Sequence, residues 1–239
     1  MSKIGYGYGS EWHLLRYLGY HRQYLTDKII SEIPFLDGCK LVWKDEAFSA
    51  SNDPFKWDME HKGIEIYNSM RLNNEWGKYW PTSGNVQNWD AVAEISVNDS
   101  IEYIFVEAKA HINEIQSTCG ASIKSKAQIE IAMQETIDYY NLKNAIVSNW
   151  FTPYYQYANR LAFLHFLMKN NIKAHLLFIY FYGNEQKNTS SICPNDKLGW
   201  DKELNKMFSQ LGIDKNNLGL SFDNRVHKLF LSTNPNVRS

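Results

Sequence analysis

The feature that most constrains this chain is a predicted β-hairpin between Trp89 and His111, whose two arms flank the turn-forming residues 98–100. Both arms alternate between apolar and polar residues, and side chains of a strand point to opposite faces with a period of two. One face is apolar and comprises Ala91, Ala93, Ile95, Val97, Ile104, Val106 and Ala108. We expect this face to lie against a hydrophobic core.

The register of this hairpin brings two carboxylates together. If residues 98–99 form a two-residue loop, Val97 pairs with Ser100. Counting back from that pair places Asp90 opposite Glu107, and opposite residues project to the same side of a sheet. The apolar pattern requires the same register, because a slip of one residue would mix apolar and charged groups on both faces. A three-residue loop would need a bulge to restore this match.

Lys109 shares the polar face with Asp90 and Glu107 at one end of the hairpin. Two neighbouring carboxylates raise each other's proton affinity, and a hard divalent cation such as Mg²⁺ or Mn²⁺ relieves the repulsion. A lysine beside them can orient or deprotonate a water, or stabilise developing negative charge. The three residues therefore predict a site for metal-assisted hydrolysis of a phosphodiester. Taken singly, each has a structural alternative: a strand-start cap for the Asp, an exposed ion pair for the E-x-K.

Asp90 followed by Glu107-Ala108-Lys109 at the end of an apolar strand resembles the PD-(D/E)xK motif of the restriction-endonuclease-like nuclease superfamily. The resemblance implies that Asp90 and Glu107 bind the metal, that the backbone carbonyl of Ala108 is a further ligand, and that Lys109 is the catalytic lysine. Trp89 replaces the proline of the motif, at a position without a chemical role. The strings VEAKAH and YYQYANRLAFLHFL also resemble bacterial members of the superfamily that have no assigned function.

The same resemblance implies contributions from two helices. Members often have an acidic residue on a first helix that reaches the metal, and Glu11 is the candidate here. The helix after the motif often supplies a polar residue, for which Lys124 and Gln128 are candidates. The alternatives are that Glu11 is stabilised by the helix macrodipole and that the other two lie on a solvated face. His111 would share a face with Lys109 and either contact substrate or cap the strand.

The remaining spacing predicts an α/β fold with a central mixed β-sheet flanked by helices, and the resemblance implies that this is a restriction-endonuclease-like core. Helices are expected over residues 11–33 (with Ser10 as N-cap), 121–140, 152–170 (starting at Thr152-Pro153) and 200–211. Ile123, Ala127, Ile131 and Ile137 should share one face of the second. Strands are expected over 40–44, 174–182 (central and buried on both faces) and 228–232 (an edge). Residues 45–88 are expected to be irregular, and 144–148 to be a strand or a loop.

The chain has 239 residues, 44% of them hydrophobic, and no Gly/Ser/Pro-rich linker. We therefore expect one domain over 1–239, with a core over roughly 10–182, an insertion at 45–88 and an extension at 183–239. The net charge of −1 is not that of a protein that coats nucleic acid, although a local basic rim would still suit a nuclease. Three distant cysteines, no signal peptide and no long apolar run predict a cytoplasmic protein without membrane contact.

These observations favour a Mg²⁺-dependent nuclease that cleaves DNA, with a homodimer suited to double-strand cleavage. Three alternatives stay open. The chain could be a non-catalytic nucleic-acid-binding or assembly module that keeps the fold, or a structural protein with a chance E-x-K. It could also be a metal-dependent hydrolase of small phosphate esters, which the lack of a glycine-rich phosphate loop disfavours. DNA or RNA preference, endo- or exonuclease action and sequence specificity are not encoded in any motif identified.

Overall fold

The structure, a computed structural model, describes residues 9–36, 38–44, 60–83, 87–97, 100–183, 191–214, 222 and 224–234. The helices of this part are α1 (Ser10–Tyr20), α2 (Arg22–Glu32), α3 (Met70–Tyr79), α4 (Ile123–Tyr139), α5 (Tyr155–Lys169) and α6 (Lys197–Leu211). The strands are β1 (Lys40–Trp43), β2 (His61–Lys62), β3 (Asn88–Trp89), β4 (Ala91–Val97), β5 (Ser100–Lys109), β6 (Ala174–Tyr182) and β7 (Val226–Ser232).

Five strands form one mixed sheet in the order β1-β4-β5-β6-β7, and β2 pairs with β3 separately. The pairs β1–β4 and β4–β5 are antiparallel, whereas β5–β6 and β6–β7 are parallel. The predicted α/β fold with a mixed central sheet flanked by helices is therefore confirmed. Strand β6 lies inside the sheet and β7 at its edge, as predicted. The division into core, insertion and extension stays a prediction.

The hairpin of β4 and β5 has the predicted register. Val97 pairs with Ser100, and the ladder continues to the pair of Ala91 and Val106. Asp90 lies just before this ladder, and its N–H donates to the Val106 carbonyl at 3.1 Å. The two turn residues, Asn98 and Asp99, lie outside the described part of the chain.

Each face of the sheet packs on its own hydrophobic cluster. The apolar hairpin face predicted from the alternation lies against α1 and α2, together with side chains of β6 and β7. The opposite face packs on α3, α4, α5 and α6. Helix α5 is buried on nearly every side, and all eleven residues from Tyr157 to Leu167 are buried. Because β6 is covered on both faces, its side chains are mostly apolar on both faces and do not alternate with polar ones.

The helix expected over residues 11–33 is two helices that break at His21, so this prediction was wrong. In a continuous helix the carbonyl of Leu18 would accept the N–H of Arg22. Here the Arg22 side chain donates Nε to that carbonyl at 2.7 Å, and the backbone leaves the helical path at His21. Ser10 is the first residue of α1, and Gly9 takes the N-cap position with a φ of 94° that favours glycine.

Helix α3 lies in the segment 45–88 that was expected to be irregular. Its N-cap is Ser69, whose Oγ accepts the N–H of Leu72 at 3.3 Å. Leu72, Trp76 and Tyr79 are buried at helical spacing, so both the cap and the period were present in the sequence. The first part of the expected irregular segment, residues 45–59, lies outside the described part.

The face of helix α4 that is buried differs from the face expected from its isoleucines. Ile123 and Ile131 are exposed, and the buried residues are Ile129, Ala132, Met133, Thr136 and Ile137. This set includes Thr136, which the apolar pattern left out. Thr136 fits because its hydroxyl bonds both the Ala132 carbonyl at 2.7 Å and the Tyr79 hydroxyl at 3.1 Å.

The first residues of two further helices differ from expectation. Helix α5 begins at Tyr155, two residues beyond Pro153. Helix α6 begins at Lys197, because the Asp196 carboxylate accepts the N–H of Gly199 at 3.0 Å and caps it. Residues 144–148 contain no strand, and a short 3₁₀ helix runs over Val147–Trp150. Along the described ranges, no helix has both the length and the apolarity needed to cross a membrane.

A polar cluster is buried beside the start of β6, on the sheet face that packs on α1 and α2. His175 Nε2 lies 2.8 Å from Glu102 Oε2, and His175 Nδ1 lies 3.2 Å from His227 Nε2. Arg225 Nη1 donates to the same Glu102 oxygen at 2.5 Å. The Phe35 ring stacks on His175 with 4.4 Å between centroids. Burial lowers the pKa of His175 to about 4 and that of His227 to about 3, with Arg225 acting in the same direction.

This cluster predicts a loss of stability in mild acid. Both histidines are neutral in the fold, so below their ordinary pKa of about 6.5 the unfolded chain binds more protons than the folded chain. Between about pH 7 and about pH 5 the contribution of these histidines to the free energy of unfolding should fall, by on the order of 1 kcal/mol for His175 at about pH 5.5. The buried carboxyl of Asp90, whose pKa is raised, acts in the opposite direction over the same range, so the contribution is read as the difference between the parent protein and a variant of the cluster. Urea unfolding at each pH measures this change. On acidification the variant His227→Phe should lose less of its free energy of unfolding than the parent protein. An identical pH dependence in the two proteins would contradict the assignment to this cluster.

Candidate active site

Asp90 sits at the junction of β3 and β4 and is attached to β5 twice. Its N–H donates to the Val106 carbonyl at 3.1 Å. Its carboxylate oxygen Oδ2 accepts the N–H of Ala108 at 2.6 Å. These bonds hold Asp90 beside the stretch of β5 that contains Glu107.

Glu107 is 3% exposed and accepts four hydrogen bonds. Lys109 Nζ and Gln156 Nε2 donate to its Oε1, the latter at 2.9 Å. Arg160 donates Nε at 2.8 Å and Nη2 at 2.7 Å to its Oε2. A carboxylate has about four lone-pair positions, so every acceptor position of Glu107 is occupied.

Arg160 itself is held on several sides. Its Nη2 also donates to the Asn88 carbonyl at 2.6 Å, and its Nη1 donates to Asn159 Oδ1 at 3.0 Å. The guanidinium lies over the Trp89 ring, 4.5 Å from the centroid. Arg160 therefore joins α5 to β3 and β5, and it fixes the orientation of the Glu107 carboxylate.

The two carboxylates have pKa values shifted in opposite directions. Burial would raise the pKa of Glu107, but the charges and hydrogen bonds of Arg160 and Lys109 outweigh it and lower the pKa. Loss of water around the Asp90 carboxyl, followed by the charge of Glu107, raises the pKa of Asp90 to about 7. Lys109, the Ala108 N–H and Arg160 oppose this rise only in part. Environments that separate two carboxyl pKa values in this way are typical of acid–base sites.

The structure brings Lys109 into contact with Glu107, and the charges of both act on Asp90, while the roles of the three residues stay a prediction. Ala108 contributes its N–H to Asp90, and the role of its carbonyl as a ligand stays a prediction. Glu11 is exposed in the first turn of α1, and Lys124 is exposed on α4. Within the described residues, neither forms a hydrogen bond or ion pair with the cluster.

Gln128 and His111 have other partners. Gln128 Nε2 donates to the carbonyls of Gly77 and Lys78 at 3.0 and 3.2 Å, and so ties α4 to the end of α3. Strand β5 ends at Lys109, so His111 does not continue it. The His111 ring is buried with Nδ1 at 2.9 Å from the Glu114 carboxylate.

The sequence did not identify Gln156 or Arg160 as residues of the site. The two are four residues apart and share one face of α5. A cation within an otherwise apolar helix requires a buried anion as its partner, and that was the available signal. Spacing along the chain could not identify the partner, because Glu107 lies 53 residues away.

A divalent cation can be tested against these side chains. Among the described residues, no three or more His, Cys, Asp or Glu side chains group together to hold a metal. A cation would therefore have Asp90 and Glu107 as side-chain ligands and would take its other oxygens from backbone or water, as Mg²⁺ often does. The enclosed Asp90 carboxyl with its raised pKa suits a cation. Glu107 can bind a cation only after one of its four hydrogen-bond donors moves away from a carboxylate oxygen.

A comparison of the chain with protein-family models, curated proteins and solved structures gives no significant match. Any function proposed for the chain therefore depends on the geometry of its own residues.

The substitution Arg160→Met tests whether the Glu107–Arg160 pair holds α5 to the sheet. It leaves the buried Glu107 carboxylate without its strongest partner, and loss of one member of a buried pair costs about 3–5 kcal/mol. The free energy of unfolding in urea should fall by about that amount. The exposed Arg71 of α3 offers a matched control, and Arg71→Met should change stability by less than about 0.5 kcal/mol. Equal effects of the two substitutions would contradict the assignment.

Proposed function

We propose that this protein is a divalent-cation-dependent nuclease that hydrolyses phosphodiester bonds in DNA. One observation is the main support: Asp90, Glu107 and Lys109 meet at the end of β5, and the two carboxyl groups have pKa values shifted in opposite directions. Carboxylate oxygens beside a lysine are the side chains that metal-assisted phosphodiester hydrolysis needs. Because of the resemblance of the motif, we propose the restriction-endonuclease-like core as the fold.

The order of elements supports that fold. The helices α1 and α2 precede β1, the hairpin β4–β5 follows, and a helical segment leads to the parallel strand β6. The candidate residues lie at the end of β5 that points toward the start of α5. There the sheet, the junction of β3 and β4, and α5 meet, and a substrate backbone would approach from the side on which Lys109 and Asp90 keep some exposure.

Each residue has a specific role in the proposed reaction. The Ala108 N–H holds the Asp90 carboxylate in place, and the Arg160 guanidinium holds that of Glu107. The Lys109 ammonium orients the attacking water by hydrogen bonding or stabilises negative charge on the phosphate. A divalent cation held by the two carboxylates would polarise the phosphate and lower the pKa of a bound water.

A second candidate function is favoured by the saturation of Glu107. Because all of its acceptor positions are filled by protein donors, the cluster is stable as a purely structural unit. That arrangement would suit a non-catalytic module that binds nucleic acid or assembles with a second copy of the chain. DNA binding that is independent of metal and unaffected by Asp90→Asn would favour this candidate.

The nuclease proposal predicts that Lys109→Ala lowers the cleavage rate by on the order of 100-fold or more, because an electrostatic stabiliser of the transition state is removed. The assay uses single- and double-stranded DNA and RNA with Mg²⁺ or Mn²⁺. Lys78→Ala is the control, since Lys78 is exposed and pairs with Glu75 on α3. Both variants should keep the circular dichroism spectrum of the parent protein.

Full activity in Lys109→Ala would overturn the proposal, as would a parent protein that cleaves none of these polymers with either cation. Turnover of nucleotides or small phosphate esters without cleavage of polymers would instead identify the small-ester hydrolase.

A further inference from the structure

The Glu107 carboxylate has no acceptor position left for a cation. Lys109 and Gln156 occupy Oε1, and the two donors of Arg160 occupy Oε2. A metal that binds Glu107 through oxygen must replace at least one of these donors.

Arg160 is the donor least able to leave. Its guanidinium is bound to the Asn88 carbonyl and to Asn159, and it stacks on Trp89 while its side chain is 5% exposed. Withdrawal would break all these contacts and leave a buried charge without a partner.

Lys109 has fewer contacts than Arg160 and a more exposed side chain. Within the described part of the chain, Glu107 is the one partner of its ammonium, and its side chain is 12% exposed on a flexible four-carbon stem. Gln156 is neutral, so an arriving cation does not repel it. The ammonium is the donor that a second positive charge would drive away.

A second carboxylate is within electrostatic reach of Lys109. Burial would raise the pKa of Glu114, but hydrogen bonds from His111 and from the Ala110 N–H lower it, and the charge of Lys109 acts in the same direction. An ammonium released from Glu107 would therefore stay near negative charge, beside the site.

The charges of the cluster also favour the release of Lys109 when a cation binds. Asp90 and Glu107, when ionised, supply two negative charges, which Lys109 and Arg160 balance. A divalent cation added to this neutral cluster would meet two fixed positive charges. If Lys109 moves outward, the inner cluster regains a net negative charge that attracts the metal.

We propose that Lys109 and a divalent cation exclude each other at Glu107, so that cation binding releases the Lys109 ammonium toward the substrate. This inference rests on the proposed function, because it takes the carboxylates to be metal ligands. It adds that the ammonium of the proposed catalytic lysine stays paired with Glu107 until the metal binds.

The first test is calorimetric titration of Mn²⁺ into the full chain and into Lys109→Met, which keeps an unbranched side chain one atom shorter and removes its charge. The variant should bind Mn²⁺ about tenfold more tightly, since one like charge and one competing donor are gone. The control Lys78→Met should bind like the parent protein. Thermal melting of each protein without metal shows whether it is folded.

Equal or weaker binding by a folded Lys109→Met would overturn the inference while leaving a metal-binding parent protein and its proposed function intact. If neither protein binds Mn²⁺, the cation-dependent function fails, and the inference fails with it.

The second test uses the parent protein and so does not depend on any variant. Brief acetylation with and without Mn²⁺, followed by peptide mass spectrometry, measures the reactivity of each amine. Lys109 should become several-fold more reactive when Mn²⁺ is present, because its ammonium is no longer paired with Glu107. The exposed Lys78 should not change. Unchanged reactivity of Lys109 at saturating Mn²⁺ would overturn the inference.

Discussion

The pairing of the Glu107 oxygen Oε2 with two N–H groups of Arg160 is the interaction on which the candidate site depends. A carboxylate that is 3% exposed inside a sheet costs several kcal/mol unless its charge is matched, and Arg160 supplies that match from α5. The same guanidinium reaches the backbone and the Trp89 ring of β3, and so fixes the chain just before Asp90. One side chain thus sets the position of both carboxylates relative to the sheet.

Strand β5 has a second buried glutamate, and each of the two is paired with an arginine. Glu102 and Glu107 are five residues apart, so their side chains point to opposite faces of the sheet. Each accepts an arginine from outside the strand, Arg225 for Glu102 and Arg160 for Glu107. Glu102 is completed by His175, which is neutral in the fold and contacts His227 through its other ring nitrogen, and by a longer ion pair with Lys173 at 3.6 Å. Glu107 is completed by the flexible Lys109. This difference makes one cluster an acid-sensitive structural element and the other a candidate for chemistry.

The hairpin register and the buried strand β6 were predictable, because period-two alternation and a continuous apolar run are local signals. The burial face of α4 was not, since isoleucines occur on both sides and Thr136 is buried through hydrogen bonds that cross to Tyr79. Helix α3 could have been found from Ser69 and the spacing that follows it. The partnership of Arg160 with Glu107 links positions 53 residues apart, and no local pattern encodes it.

The bond from the Ala108 N–H to the Asp90 carboxylate gives that aspartate a structural role that is independent of any chemistry. The side chain takes a backbone donor at the point where the β4–β5 ladder stops. A lineage that lost catalysis would still be under selection to keep this residue, since its loss would leave a backbone donor unpaired. The Lys109 ammonium contacts no backbone group among the described residues. Of the two, retention of the lysine among descendants is therefore the stronger record of a working site.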